Sequence, residues 1–472
     1  MPQSDEHMEP RPLAALLAPD LLALLADNPS SLAAETEEMH PADLADIAES
    51  LPDDLLLALL LAIPAERAAD ILEYLDEDRR TTALEAMSTR QAAALVTEMT
   101  PDDRADALEE LEEEHADEIL AELSVEERQE TERLLAYDPD TAGGIMTTEF
   151  VSVPAKQTVE GALASVRQVA RAGRREAMHT VYATDDAGRV IGVLSLRELL
   201  AAPDGSRVSD AAWTEVVSVL PTAAREEVAQ LTSKYDLVAV PVVDEQHRIL
   251  GVVTVDDIID VIVQEQTEDV QKLGGMEALD EPYMQMGFGA MMKKRAGWLC
   301  VLFLGEMATA SAMGHFEDEI ARALVLTIFI PLIISSGGNS GSQATSLIIR
   351  AMALGEVHLR DWWRVASREL PSGLALGAIL GVLGFGRVML WQSMGITDYG
   401  PHAARIGATV GIALLGVVTF GSFAGSMLPF LLRRLGLDPA SASAPFVATL
   451  VDVTGVVIYF TVALLMLRGT LL

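Results

Sequence analysis

The sequence holds a single cysteine, Cys300, and it falls in an apolar run, so neither a disulfide framework nor a thiolate metal site is available. Positive charge is scarce: 33 Lys and Arg stand against 71 Asp and Glu in 472 residues, a formal net charge of −38. That balance argues against nucleic acid as a partner and against docking on anionic lipid. Clustered carboxylates suit hard cations such as Mg²⁺ or Ca²⁺ instead. The first residues, Met1-Pro2-Gln3-Ser4-Asp5-Glu6, lack a basic n-region, so no cleavable signal is expected and the soluble half is expected to stay in the cytoplasm. No nucleophile-and-base constellation and no phosphate-cradling P-loop occurs, so neither an enzyme nor an ATP-hydrolysing pump is expected.

Half of the residues are nevertheless hydrophobic. The two facts reconcile because they occupy different halves. Acids crowd the stretch up to about Asp280, and long apolar runs begin only near Gly297. An acidic soluble half followed by a membrane half is the reading. Residues 1–38, Ala/Leu-rich and acidic, read as a short helix or an N-terminal tail.

From Met39 a twelve-residue repeat begins. Met39, Leu51, Ile63, Leu75, Met87, Met99, Leu111 and Leu123 are apolar at constant spacing, and a helix-starting or acidic residue follows most of them (Pro52, Pro64, Asp76, Ser88, Thr100, Ser124). Apolar residue, cap, then acids such as Asp53-Asp54 or Asp102-Asp103 marks a helix start. The spacing predicts a superhelical stack of short helices over 39–134, with a plain helical bundle as the alternative.

A second duplication follows Tyr137-Asp138-Pro139-Asp140. Glu149-Phe150-Val151-Ser152-Val153 is echoed by Glu215-Val216-Val217-Ser218-Val219, and Val190 to Glu198 by Ile249 to Asp257. Each copy reads strand, helix (Thr158–Val169; Ala224–Tyr235), strand (His179–Ala183; Val238–Val243), turn, strand, helix. Over 137–262 this resembles a tandem cystathionine-β-synthase (CBS) module, most closely at Pro241-Val242-Val243-Asp244 and Gly251 to Asp257. The first copy departs at Ala183-Thr184-Asp185-Asp186. The resemblance implies an adenosine nucleotide read by a Thr-x-x-Asp pair, here Thr254 and Asp257, with Ser195 and Glu198 at the matching place in the first copy; other such modules are scaffolds only.

The next helix, Val255 to about Lys272, places Asp257, Asp260, Glu265 and Glu268 on one side, with Asp256 and Asp269 flanking. Against a second acidic surface that stripe would repel itself unless protonated or bridged by divalent ions; the plain alternative is a solvated face. Residues 273–292, with Gly274-Gly275 and Gly287, read as a linker. Five apolar segments follow, roughly Gly297–Met313, Ala323–Ile348, Ser372–Trp391, Ile406–Leu431 and Ala444–Leu467. Basic residues sit before the first (Lys293, Lys294, Arg295), between the second and third (Arg350, Arg360, Arg364, Arg368) and between the fourth and fifth (Arg433, Arg434). The positive-inside rule then puts the N-terminus in the cytoplasm and the C-terminus outside.

Two membrane stretches are unlike lipid-facing helix. Asp452, with Thr449, Thr454 and Gly455 beside it, lies roughly 10 Å into the fifth segment counting from Pro445; a lone acid at that depth marks an ion or proton pathway by default. In Pro331 to Gln343, Gly337, Gly338, Gly341 and Asn339 are expected to weaken the helix and let backbones approach, for a pore or for tight helix packing. Glu306 is a further membrane acid, read as interfacial or helix-pairing.

At this point the order of domains resembles the MgtE family of Mg²⁺ transporters or channels. Pro-x5-Gly-Gly-Asn-x-Gly-x-Gln (Pro331 to Gln343), Pro-x6-Asp-x-Thr-Gly (Pro445 to Gly455) and Leu432-Arg433-Arg434-Leu435-Gly436-Leu437-Asp438-Pro439 carry the likeness. The resemblance implies a multidomain membrane protein: an α-helical repeat N domain (39–134), an α/β tandem CBS pair (137–262), a plug helix with linker (263–292) and an α-helical transmembrane pore domain of five helices (293–472). It implies a homodimer in the cytoplasmic membrane, with a pore lined by the second and fifth segments, where Asp452 and Asn339 face hydrated Mg²⁺. Regulatory Mg²⁺ among Asp102, Asp106, Glu226, Asp236, Asp256, Asp257, Asp260, Glu268, Asp269 and Asp438 would hold the gate shut, with ATP as a modulator. Ala224 removes one sensor carboxylate, and Ala444 stands where a polar residue is expected. The expected function is Mg²⁺-selective, Mg²⁺-gated passive transport; the alternatives are Co²⁺ or Ni²⁺ transport, against which the lone Cys and the few His of the membrane half count, or a membrane-anchored CBS nucleotide sensor.

Overall fold

A computed structural model describes residues 17, 19, 21–25, 29–171, 179–279, 283 and 286–471. The opening Met1 to Glu6 and most of the expected tail lie outside the described residues. The chain divides into two compact units, one ending at Ile262 and the other beginning at Val263.

The first unit's helices include Pro29–Glu35, within the stretch read as short helix or tail, and then the repeat. Eight helices begin at Pro41, Asp53, Ala65, Glu77, Thr89, Pro101, Glu113 and Val125, each twelve residues after the last. Leu51, Ile63, Leu75, Met87, Met99, Leu111 and Leu123 are all buried, and Met39 is partly so. Each helix packs on the next but one: Pro41–Glu49 on Ala65–Glu73, then Thr89–Val96, then Glu113–Glu122, with the intervening helices forming a second row. That is the expected stack. Arginines tie the rows. Arg67 donates to the Thr36 and Met39 carbonyls, Arg79 to Ala48 and Leu51, and Arg104 to Val96 and Met99. Each adds a donor to carbonyls at or just past a helix end, where the intrahelical ladder runs out.

Among the described residues the CBS-like region has two sheets. Val151–Pro154 pairs parallel with Thr180–Thr184, which pairs antiparallel with Val190–Ser195. Ala239–Val243 pairs antiparallel with Ile249–Thr254. The duplication extends to the hairpin turns: Asp185 accepts from the Ala187 and Arg189 amides, and Asp244 from those of Gln246 and Arg248. Gly188 and His247 take the same left-handed turn position, φ +77 and +59. One expectation fails. Glu215 to Val219 is not a strand; Val219 alone bridges Val242, because Pro221 follows two residues later and cannot continue the ladder.

Among the described residues of the second unit five helices are long and apolar enough to cross a membrane: Phe288–His315, Leu324–Ala353, Leu359–Ser393, Gly400–Arg434 and Ala444–Leu467. The first begins earlier than its apolar part, so 288–292 are helix and the linker is shorter than expected. The second opens with the 3₁₀ turn Leu324–Phe329 and then runs as unbroken α-helix from Ile330 to Ala353. Its glycines therefore do not weaken it. They pack it: a Cβ on Gly337 would strike Val417 and Val451, one on Gly421 the Gly337 carbonyl, and one on Gly425 the Gly341 carbonyl. Ser340 and Ser422 share a hydrogen bond of 2.6 Å across the same seam, and Thr345 donates to the Gly425 carbonyl at 2.8 Å. Backbone approach through small residues and polar cross-links is how membrane helices associate.

Candidate functional site

Carboxylates gather first within the unit ending at Ile262. Asp102 and Asp103 occupy the first turn of Pro101–Glu109, and Asp256 and Asp257 the first turn of the connecting helix Val255–Leu273. Helix starts favour acids because their free N–H groups carry partial positive charge. Here that favour is overdrawn. Asp102 is 6% exposed, and burial followed by repulsion from Asp103 pushes its carboxyl up to about 7. One of its oxygens is buried with no hydrogen-bond partner. Asp257 is pushed up to about 8, by burial and then by Asp102, against the Thr254 hydroxyl donating to it at 2.6 Å. Asp106, at the rim and open to solvent, is pushed up to about 7 by the protein around it, then by Asp102 and Asp103. Burial and then Asp256 raise Asp260.

Two further acids belong here. Asp103 is raised by burial, with Asp256 and Asp260 adding to it. Glu73, at the end of Ala65–Glu73, is pushed up to about 8 by burial and then by Asp103. Asp103 carried a signal, its place beside Asp102; Glu73 arrives only through the stacking of rows. Among the described residues no three His, Cys, Asp or Glu side chains converge tightly enough to ligate one ion directly. A cation held here would be held in part through its own waters, as Mg²⁺ prefers.

Glu226 and Asp236 are placed differently. They are exposed at opposite ends of Arg225–Tyr235, about 15 Å apart along that helix. The pairs read as nucleotide-binding are closed on themselves: Thr254 donates to Asp257, and Ser195 to Glu198, which also accepts from Trp213 Nε1 at 2.6 Å.

A second group lies in the unit beginning at Val263. Lys272 Nζ donates to Glu268 at 2.7 Å and to Asp438 at 2.9 Å. Burial works against its charge, but those two bonds outweigh it and hold its pKa above the ordinary value. Asp269 is raised by burial and then by Asp438. Lysine, not an ion, thus bridges the connecting helix to the loop before the fifth span.

The third group is inside the membrane helices. The second and fifth spans run antiparallel, with Gly338 against Ala448, Gly337 against Val451 and Gly455 near Ile334. Half-buried Asp452 falls between those levels. On the second span Ser335, Asn339, Gln343 and Ser346 recur at helical spacing and are all exposed. Ser443 caps the fifth span by accepting from the Phe446 amide at 3.3 Å, which explains why Ala444 need not be polar. The Glu306 carboxyl of the first span lies beside that of Asp452, so its neighbour is an acid.

Stacked acidic helices, a CBS-like pair and five spans with an internal carboxylate define a multi-pass membrane protein with a large acidic soluble part. The chain belongs to the MgtE family. A family model described as a divalent cation transporter matches residues 330–462, the MgtE intracellular N domain matches 39–140, and the CBS domain matches 142–205 and 208–264. The chain is 42% identical over 340 residues to the magnesium transporter MgtE of Thermus thermophilus, covering 72% of this chain and 73% of that one. It is 38% identical over 339 residues to the magnesium transporter MgtE of Enterococcus faecalis, covering 72% of each. A crystal structure of the soluble part of a magnesium transporter matches with a TM-score of 0.51 and 34% identity, over 53% of this chain and 99% of that chain.

Proposed function

We propose that this protein is a passive Mg²⁺ conduit of the cytoplasmic membrane, gated by Mg²⁺ on its acidic soluble half. The N-terminus is cytoplasmic and the C-terminus external. The observation that carries the reading is Asp452 in an apolar span beside the uncovered polar row Ser335, Asn339, Gln343 and Ser346. Such a row cannot face lipid tails without cost; it calls for water or for a second copy of the chain. A homodimer meeting along it would enclose a wet path with one Asp452 from each protomer, able to hold Mg²⁺ through its hydration shell. Residues 293–472 form the pore domain in this reading, 39–134 and 137–262 the sensor, and 263–292 the plug and linker.

The gate follows from the acid patch. Asp102, Asp103, Asp106, Asp256, Asp257 and Asp260 repel one another unless a cation lies among them, and the orphaned Asp102 oxygen has room in its chemistry for one. Mg²⁺ prefers the closed arrangement, and its loss lets like charges separate: a population shift driven by a state-selective ligand. An adenosine nucleotide acts only as a modulator, since it has to part the Thr254–Asp257 bond. Oxygen donors at Asp452 and Asn339, with no thiolate nearby, favour Mg²⁺ over Co²⁺ and Ni²⁺.

The test is Mg²⁺ uptake into proteoliposomes by the full chain and by a chain beginning at Gly287, before the first span. Uptake by both, shut by Mg²⁺ on the soluble side only in the full chain, and not outcompeted by Co²⁺ or Ni²⁺, is the expected result. No Mg²⁺ flux from either would overturn the reading in favour of a sensor.

A further inference from the structure

Glu306 is a membrane acid that this reading leaves without a task. It sits about 16 Å along the first span from Arg295, well inside the apolar part of that helix. Three contacts fix its register against the fifth span. Trp298 Nε1 donates to Ser443 at 3.2 Å, a Cβ on Gly305 would overlap the Thr449 methyl, and the Glu306 carboxyl meets that of Asp452. Gly305 matters because only a bare backbone lets the two helices come this close. One turn further along, Thr309 is 9% exposed and its buried hydroxyl has no hydrogen-bond partner. Among the described residues no cationic side chain acts on Asp452.

Glu306 is exposed and Asp452 half-buried at the edge of this seam, so the two carboxylates are open to a cation and, among the described residues, have no positive side chain to satisfy them, while the Thr309 hydroxyl beside them is buried without a partner. We propose that Glu306 is a second ion-facing carboxylate which, with Asp452, takes a hydrated divalent cation in the seam between the first and fifth spans and sets the preference for divalent over monovalent ions. The inference rests on the reading of Asp452 as part of the conduit. Coulomb attraction scales with the charge of the ion, so each carboxylate added beside Asp452 favours a divalent over a monovalent ion.

The experiment uses the full chain in proteoliposomes, with Mg²⁺ influx followed by an internal dye and Na⁺ against Mg²⁺ permeability taken from reversal potentials. Glu306→Gln keeps the size of the side chain and is expected to raise the apparent KM for Mg²⁺ at least about tenfold and to lower the divalent preference by a similar factor. Glu306→Asp keeps the charge and is expected to recover most of both; it also answers for any folding defect of the Gln variant. Glu306→Gln with wild-type KM and selectivity, beside a silent Asp452→Asn, would overturn the role of Glu306 alone. An Asp452→Asn protein that conducts as wild type would overturn the conduit reading and this inference with it.

Discussion

The carboxyl of Asp257, in the first turn of the connecting helix, faces that of Asp102, in the first turn of a repeat helix, and each is pushed well above the usual carboxylate range. Two acids distant in sequence are held together although their charges oppose it. The arrangement persists only with protons or cations between them, and this gives the acidic half a response to both.

The first expectation concerns pH. Asp102 and Asp106 near 7, and Asp257 and Glu73 near 8, all lie above their unfolded values. A carboxyl raised in the folded state contributes stability at low pH that is lost as pH rises through the folded value. In EDTA, the melting temperature of the soluble part in the full chain should therefore fall by about 5 °C or more between pH 6 and 8.5. With millimolar Mg²⁺ the fall should largely vanish; scanning calorimetry with and without Mg²⁺ measures it.

Neutralising one member should show the same charge balance. Asp257→Asn removes a raised carboxylate while keeping a group able to accept from Thr254. It should raise stability in EDTA and shrink the Mg²⁺-induced gain, both read by thermal shift at pH 8. A larger Mg²⁺ gain in the variant would contradict the role of the patch.

Lys272 acts as a fixed counter-cation for Glu268 and Asp438. Lys272→Met leaves those carboxylates facing each other, so the gate should need roughly three- to tenfold more Mg²⁺ to shut. Titrating Mg²⁺ on the soluble side of proteoliposomes gives the shift directly. An unchanged midpoint would mean that the bridge is incidental.

The glycine seam should tolerate nothing larger. At Gly425 an added Cβ would overlap the Gly341 carbonyl and crowd the Thr345 hydroxyl. Gly425→Ala should cost about 2 kcal/mol or more in the membrane unit, seen as a lower melting temperature in detergent, whereas Gly395→Ala, in open space at the end of the third span, should cost less and only through its positive φ.

Much of this was legible because the sequence repeats itself. Twelve-residue spacing gave every helix start from Pro41 to Val125, and the echo of Val190 to Glu198 in Ile249 to Asp257 betrayed the duplicated β/α unit. Apolar length marked the five spans, and Pro445 with the run behind it placed Asp452. Contacts made by reach were not legible. Arg67 and Arg79 bond carbonyls that belong to turns two helices earlier, and no local pattern records the partner. Glu73 and Lys272 joined their acids through packing between elements. The first span hid its opening turns, because Lys293-Lys294-Arg295 are helical yet polar, as an interfacial helix end can be. The glycines of the second span misled for a further reason: their cost in an isolated helix is offset by backbone approach to Gly421 and Gly425.

The most direct measurement is Mg²⁺ uptake by Asp452→Asn in proteoliposomes, with the Mg²⁺-dependent thermal shift of the same protein as a check on its folding. The account expects uptake to be lost while the shift, which belongs to the Asp102–Asp257 patch, stays as in the wild type. Uptake at the wild-type rate by a variant with that shift intact would take Asp452 off the ion path and contradict the central claim.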